Sequence, residues 1–509
     1  MVFRAAVFLI ATGCHTACEG FYIDADGDGY GDAASPASQC PDDASNAIAN
    51  ARDCDDSDDS IYPGSDEIYY DGIDQDCLGL DDEWDQDSDG YTVSTAPEPS
   101  AHFDCDDTDP TIHPNSVQNA DGSLDTPPDF PPSEDLWTLE EGPELRLSPD
   151  QPHVQHHPSV ALGGDGSFLL AWQMSFRESA EVFTQRFDLD GNPLGDLIQL
   201  NDLADTGGKP DIESDGDGYW ATWQDNRGSI FVRRLSAEGI PLGPSVIAYQ
   251  STYAAEGPDL ALRPDGTLGV VWNVDDIPGE TGRDYYRLFD SELNPLTEPI
   301  IAAVTGRSVA DVAPLQDGGL VLVGTNKDSP TEELLSEVYG RIIGPDHCIT
   351  PFRVDQGATL NPSRPAVAAT SDDLIVVTWR NKIDRDEADG VFARLFDASG
   401  RALTDQYALM PLPNNGTRAV VRALGSDLFF AWQATVIEPY VDTVATTVDL
   451  QDWASTSTIS PRNVDTSGYH ERPVIDVEEE GPDRLMITAW EAERPSGRVI
   501  LGRLTRFTR

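Results

Sequence analysis

The sequence predicts an all-β chain: a seven-bladed β-propeller preceded by a loop-rich, Asp-rich module. Three observations predict it. Residues 138–509 repeat a unit of about 50 residues seven times, each with short apolar runs around one aromatic position. No segment sustains the period of an amphipathic helix. Residues 19–150, in contrast, carry 37 Asp and Glu against two basic residues, Arg52 and Arg146. The 509 residues together hold 91 acids and 32 bases, a formal charge of −59, and the 39% of hydrophobic residues suffices for a sizeable core. A surface this negative repels phosphate backbones and anionic lipid, which excludes nucleic acid as a partner and points to cations as counter-charge.

The first 18 residues read as a targeting device. "MVFRAAVFLIATGC" places one basic residue, Arg4, before an apolar stretch and small residues ahead of Cys14, the layout of an export signal. The apolar stretch is too short to span a bilayer. "ATGC" resembles the lipobox of bacterial lipoproteins, which implies lipidation of Cys14, with membrane attachment through that anchor only. His15 rather than Asp follows the cysteine, and the resemblance then implies the outer membrane. Cleavage near Ala17, giving a secreted protein, is the alternative. Either route leads to an oxidising compartment, where the remaining cysteines can form disulfides.

Residues 19–115 repeat an aspartate pattern. "DADGDGYGD" supplies Asp24, Asp26 and Asp28, and "DQDSDGYTV" supplies Asp85, Asp87 and Asp89, in each case at positions one, three and five with Gly at six. This spacing lets a tight loop turn three carboxylates toward one centre, and Gly29 and Gly90 permit the sharp turn. All the donors are hard oxygen, which selects Ca²⁺ over softer metals. Ser35 and Ala96 stand where an EF-hand has its bidentate Glu, so the loops are not an EF-hand pair. A second unit recurs as "DCDDSDDSIYP" (Asp53, Asp55, Asp56, Asp58) and "DCDDTDPTIHP" (Asp104, Asp106, Asp107, Asp109). Between them, "DGIDQDCLGLDDE" adds Asp74, Asp76, Asp82 and Glu83 as candidate oxygen donors. The residues thus imply bound Ca²⁺; an acidic disordered tether is the bland reading.

These repeats resemble the Asp/Cys metal-binding motif of bacterial surface proteins, which is similar to thrombospondin type 3 calcium repeats. The resemblance covers residues 22–115 and implies a metal-dependent stalk. Some members are associated with copper, but the imidazole or thiolate cluster that copper prefers is missing, with only His102 and His113 nearby. Where the family pattern has Cys-Asp-Gly, this chain has Tyr70-Asp71-Gly72, and Cys77 loses its local partner. The expected bridge is then Cys40–Cys54, with Cys77–Cys105 the remaining suggestion. Residues 116–137, with their prolines, read as a semi-stiff linker.

In residues 138–509, Trp172, Trp223, Trp272, Trp379, Trp432 and Trp490 each end an apolar run, and Gly324 takes the same position in the fourth unit. Each unit starts 13 to 17 residues earlier, as in "PSVAL" and "PDLAL", and a turn such as "GGDGS" or "RPDGT" intervenes. The Trp is expected between neighbouring blades. Arg186, Arg234, Arg287, Arg341, Arg394 and Arg503 recur on third strands as structural partners rather than ligand contacts. The last unit lacks a fourth strand, and residues 142–148 are expected to pair with residues 499–504 and close the ring.

Loops entering the first strands gather at one face of a propeller. They bring His157, Asp211, Asp259, Asp311, Arg364, Arg418 and Arg472 to a candidate ligand face, acidic in blades two to four and basic in blades five to seven. A solvated rim closed by ion pairs would look the same in sequence. No HExxH, GxSxG or P-loop is present, nor the Asp boxes of sialidase-like propellers, and no catalytic residue is assigned. The expectation is a surface-anchored binding protein with a protein or glycan partner. The alternative is a secreted propeller glycoside hydrolase or polysaccharide lyase.

Overall fold

Apolar runs joined by Gly- and Asp-rich turns make antiparallel hairpins, and the described residues form strands and no helix. The computed structural model describes residues 21–37, 46–65, 68, 73–77, 86, 138–149, 153–176, 179–202, 206–251, 253–274, 282–304, 311–327, 336–356, 361–382, 389–410, 417–437, 440–448, 460–461, 470–494 and 497–508. The chain forms two compact units.

The larger unit is the predicted propeller. Six sheets each consist of four consecutive antiparallel strands: residues 154–199, 208–249, 255–304, 311–353, 361–410 and 417–461. A seventh sheet takes three strands from residues 470–508 and is completed by Thr138–Glu141 and Leu145–Arg146. Leu145 and Arg146 pair with Gly502 and Leu501, as the closure expectation requires. The closure also extends upstream, where Thr138, Leu139, Glu140 and Glu141 pair with Thr508, Phe507, Arg506 and Thr505. The first strands neighbour one another all the way round, that of blade seven meeting that of blade one.

Each repeated Trp is fully buried, and its position is explained by two neighbours. Across the hairpin it faces an aromatic of the third strand in four blades, Trp172 facing Phe183, Trp223 Phe231, Trp272 Tyr285 and Trp379 Phe392, whereas Trp432 and Trp490 are paired with Val444 and Leu501. Beyond its own sheet it packs on the preceding blade. Trp432 lies among Ala366, Val376 and Val391, and Trp172 among Leu485, Ile487 and Ile500. Burying so large a side chain in six of the seven blades is the main apolar force holding the ring together. Blade four substitutes Gly324, whose cross-strand partner Tyr339 is buried and donates its hydroxyl to Asp284 of blade three.

Two of the recurring third-strand arginines serve the same junctions, and others brace their own sheet. Arg394 donates from Nη1 to Val354 O of the preceding blade at 3.1 Å, and Arg287 to Ala248 O at 3.0 Å. Arg503 pairs with Glu141 at 2.9 Å, which ties the closing strand to the C-terminal one. Arg234 lies over Trp220 and pairs with Asp215 at 2.6 Å.

The smaller unit is held by turns more than by sheet. Tyr22–Ile23 pairs with Ala47–Ile48, Asp32 bridges to Asp53, and Tyr30 stacks on Tyr62 at 5.6 Å. A disulfide joins Cys54 to Cys77, which corrects both the Cys40–Cys54 bridge and the Cys77–Cys105 suggestion. Segment 53–65 folds back on 73–77, with Tyr62 N donating to Gln75 O at 2.9 Å and Ile68 N to Gln75 Oε1 at 3.1 Å. That return brings the two Cα atoms to 5.7 Å, within the span a disulfide bridges. Cys40 lies outside the described residues.

Candidate functional site

Two groups of polar residues stand out, one in each unit. In the smaller unit the loop from Asp24 turns on Gly27 and Gly29, whose φ values of 95° and 101° suit glycine. Asx-type bonds shape it: Gly27 N donates to Asp24 Oδ1 and Tyr30 N to Asp28 Oδ1, both at 2.7 Å. The carboxylates of Asp24, Asp26 and Asp28 therefore converge, and Asp26 also converges with Asp53 and Asp56. Ala25 N donates to Asp56 Oδ1 at 2.7 Å, which fastens the second repeat unit against the first loop. Sequence periodicity placed these two units in separate loops; their shared use of Asp26 is a tertiary fact.

The arrangement fits a divalent cation. Asp26, Asp28 and Asp53 each bury one carboxylate oxygen, Oδ2, that accepts no hydrogen bond, and Asp53 is only 6% exposed. Orphaned anionic oxygens at this density are costly without a counter-ion. Burial, with the adjacent carboxylates, raises the pKa of Asp28 and of Asp53 above the ordinary value. Every donor is hard oxygen. Asp55 and Asp58 instead cap turns, accepting from Ser57 Oγ at 2.6 Å and Ser60 Oγ at 2.7 Å. Asp74 and Asp76 belong to neither group. Asp82, Glu83, Asp85, Asp87, Asp89, Asp104, Asp106, Asp107, Asp109 and Cys14 lie outside the described residues.

In the propeller, all seven residues of the sequence-derived face line one axial cavity of about 530 Å³: His157, Asp211, Asp259, Asp311, Arg364, Arg418 and Arg472. A local device puts them there. The first strands of blades one, three, five, six and seven each slip register at a bulge, and the strand of blade two does so opposite Thr222–Gln224. The bulge residues His157, Lys209, Arg364, Arg418 and Arg472 have φ between 47° and 54°. A bulge re-aims a side chain, here toward the axis.

Two residues further along, the character of the wall divides. Blades two to four present Asp211, Asp259 and Asp311, whereas blades five to seven present Ala366, Val420 and Val474. The aspartates clasp one blade to the next. Asp211 Oδ2 accepts from Leu260 N at 3.2 Å, Asp259 Oδ2 from Val312 N at 3.0 Å, and Asp311 Oδ2 from Val367 N at 2.8 Å. Asp476 Oδ2 accepts from Leu162 N at 2.6 Å across the junction of blades seven and one. Burial and the flanking Asp211 and Asp311 push Asp259 well above the usual carboxylate range. Deeper in the channel Glu213 of blade two faces Arg422 of blade six at 3.8 Å. Burial pushes Glu213 up to about 8 although Arg422 opposes the shift.

His156 and His157 are neutral at physiological pH. Burial, reinforced by Arg472, pushes His156 down to about 4 and His157 down to about 2. His156 Nε2 shares a hydrogen bond with Ser175 Oγ at 2.7 Å, whereas the buried Nδ1 of His157 has no partner. Lys209 pairs with Glu256 at 2.8 Å. Sequence reasoning missed Glu213 and Arg422 as a pair, because only ring closure brings blades two and six face to face.

A family model described as "Putative metal-binding motif" matches residues 53–83 and 104–122. Among curated proteins none matches the chain. The propeller is similar to a protein of unknown function from Dyadobacter fermentans, at 11% identity and a TM-score of 0.44, over 73% of this chain and 99% of that one. It is similar to the polysaccharide lyase Uly1 at 8% identity and a TM-score of 0.43, over 69% and 90% of the two chains. An α-L-arabinanase from Penicillium chrysogenum, complexed with arabinobiose, aligns at 12% identity and a TM-score of 0.41, over 58% and 94%. The chain is therefore an all-β propeller protein carrying a metal-binding motif.

Proposed function

We propose that this chain is an exported surface protein, lipid-anchored to the outer membrane at Cys14, in which Ca²⁺ orders an Asp-rich stalk and the propeller binds a protein or glycan partner. The observation that carries the binding reading is the convergence of seven polar face residues on one axial cavity. Its size falls among pockets that hold small ligands, about 300–1,000 Å³. The Cys54–Cys77 disulfide supports an oxidising compartment, and the orphaned oxygens of Asp26, Asp28 and Asp53 support the cation. The test is a glycan and protein panel probed with the full chain in calcium buffer, alongside Val420→Trp, which fills the cavity. Binders lost in the variant support the reading; binders that persist move recognition elsewhere on the molecule.

One observation favours the hydrolase or lyase alternative. Asp259, its pKa raised by burial and by the neighbouring Asp211 and Asp311, has the setting of a general acid among carboxylates. Against it, each of the three already accepts a backbone N–H of the next blade. Release of reducing ends from a polysaccharide, abolished by Asp259→Asn, would establish turnover and displace the binding reading.

A further inference from the structure

We infer that the axial cavity selects a carboxylate, and that its ligand is a uronic-acid-bearing glycan whose acid group is seated by Arg418 between Arg364 and Arg472. This rests on the reading of the cavity as a binding site and names the ligand class.

The first argument is charge accounting. Blades five, six and seven place an arginine at the same bulge position, so three guanidinium groups crowd one wall. Arg472 has a counter-ion: its Nε lies 3.2 Å from Glu491 Oε1. Glu491 is itself fully engaged, accepting from His157 N at 2.9 Å and pairing with Arg498 at 2.8 Å. Arg418 makes no hydrogen bond and no ion pair among the described residues. Burial and the neighbouring Arg364 and Arg472 lower its pKa to about 10, which leaves it charged at neutral pH. Glu471 and Glu491 are near enough to offset part of that shift, but neither forms an ion pair with it. Half-buried positive charge of this kind calls for an anion from outside.

The second argument is backbone cost. Arg364, Arg418 and Arg472 hold φ of 54°, 51° and 54°, a region where a side chain costs roughly 1–2 kcal/mol. Arg364 and Arg472 also precede prolines, which disfavours such backbone further. Blade three makes the same bulge with Gly257 at φ 58°. The bulge thus needs no side chain, and the arginines answer another requirement. Guanidinium forks match carboxylate geometry two bonds at a time.

The remaining lining argues for a sugar acid over an acidic peptide. Opposite the arginines, the carboxyl oxygens of Asp211, Asp259 and Asp311 each accept one hydrogen bond already, and a second lone pair on an oxygen can take a hydroxyl. The unpartnered Nδ1 of neutral His157 is a further acceptor. Ala366, Val420 and Val474 lie along the arginine side, where the C–H face of a pyranose fits. A uronate carries a carboxylate, several hydroxyls and an apolar face in one residue. An acidic peptide would bring carboxylates against the aspartate wall without hydroxyls to satisfy it.

The test is calorimetric titration of the full chain in calcium buffer with three probes: oligogalacturonate, its methyl ester and poly-glutamate. The acid is expected to bind, with the ester weaker by about 10- to 100-fold, the loss of one charge-assisted bidentate contact. Arg418→Gln, with an unchanged melting temperature, is expected to lose that factor for the acid and nothing for the ester. Equal affinity for acid and ester, an Arg418→Gln variant that binds the acid normally, or no binding of the acid overturns the inference. Preference for poly-glutamate overturns it in favour of a peptide. Val420→Trp separates the two levels: a neutral glycan that it displaces, unaffected by Arg418→Gln, keeps the cavity as a binding site while the carboxylate assignment falls.

Discussion

At the residue scale, single side chains in this propeller hold two duties, and the structure assigns which comes first. Asp311 faces the cavity, yet its Oδ2 receives Val367 N of the next blade at 2.8 Å. Asp311→Ala is therefore expected to cost about 1–3 kcal/mol in urea unfolding, because it strands a buried donor. Asp311→Asn retains an acceptor and should cost less. His156 gives a pH signature. Its folded pKa of about 4 lies below its ordinary value of 6.5, so the unfolded chain binds the proton first. The stabilisation is fully present above pH 6.5 and is lost as pH falls toward 4, up to about 3 kcal/mol. Melting temperature followed across that window should show a shallower acid-side fall in His156→Gln than in the parent chain. Neither assignment was legible in sequence. Both depend on which backbone or side chain a neighbouring blade brings within 3 Å.

At the element scale, the aromatic rule and the closing strand were legible and the bulges were not. A Trp on the second strand of six of the seven blades is a one-dimensional signal, and its packing on the preceding blade follows from the two faces of a strand. Trp432→Ala, which removes a fully buried ring from between blades five and six, is expected to cost about 3–5 kcal/mol. The closing strand was read from a missing fourth strand, and the sheet contains it at Leu145–Arg146. Thr138–Glu141 was not anticipated, because "TLEE" has little of a strand's apolar alternation. Its role is shown by partners: Leu139 pairs with Phe507, and Glu141 binds Arg503. Deleting residues 138–146 is expected to lower the melting temperature sharply while leaving the other six sheets chemically intact; an unchanged transition in scanning calorimetry would count against ring closure as the stabilising step. The bulges escaped notice because His-Pro, Lys-Pro and Arg-Pro read as extended dipeptides.

At the scale of the whole molecule, an acidic module and a propeller of opposed walls share one chain. Native mass spectrometry across a calcium titration is expected to show stoichiometric Ca²⁺ on the parent chain. Asp26→Asn is expected to weaken both carboxylate groups, since Asp26 belongs to each. Chelator should then abolish a low-temperature transition of the Asp-rich unit and leave the propeller transition in place. Copper bound in stoichiometric amount instead, or no metal at all, would overturn the calcium assignment and return the segment to an acidic tether.

The sequence by itself determined the repeat, the all-β class, the position of the Trp in six of the blades and the seven residues at the cavity. Each is a matter of spacing along the chain, and strand periodicity converts spacing into direction. Only the tertiary structure decided that Cys54 meets Cys77, that Asp26 serves two carboxylate groups, and that Glu213 faces Arg422 across the axis. It also decided that Arg418 lines the cavity with Arg364 and Arg472 and has no ion pair among the described residues. These depend on distances between residues far apart in sequence, fixed by the folding back of a loop and by the closing of a ring. Local pattern carries no record of such distances.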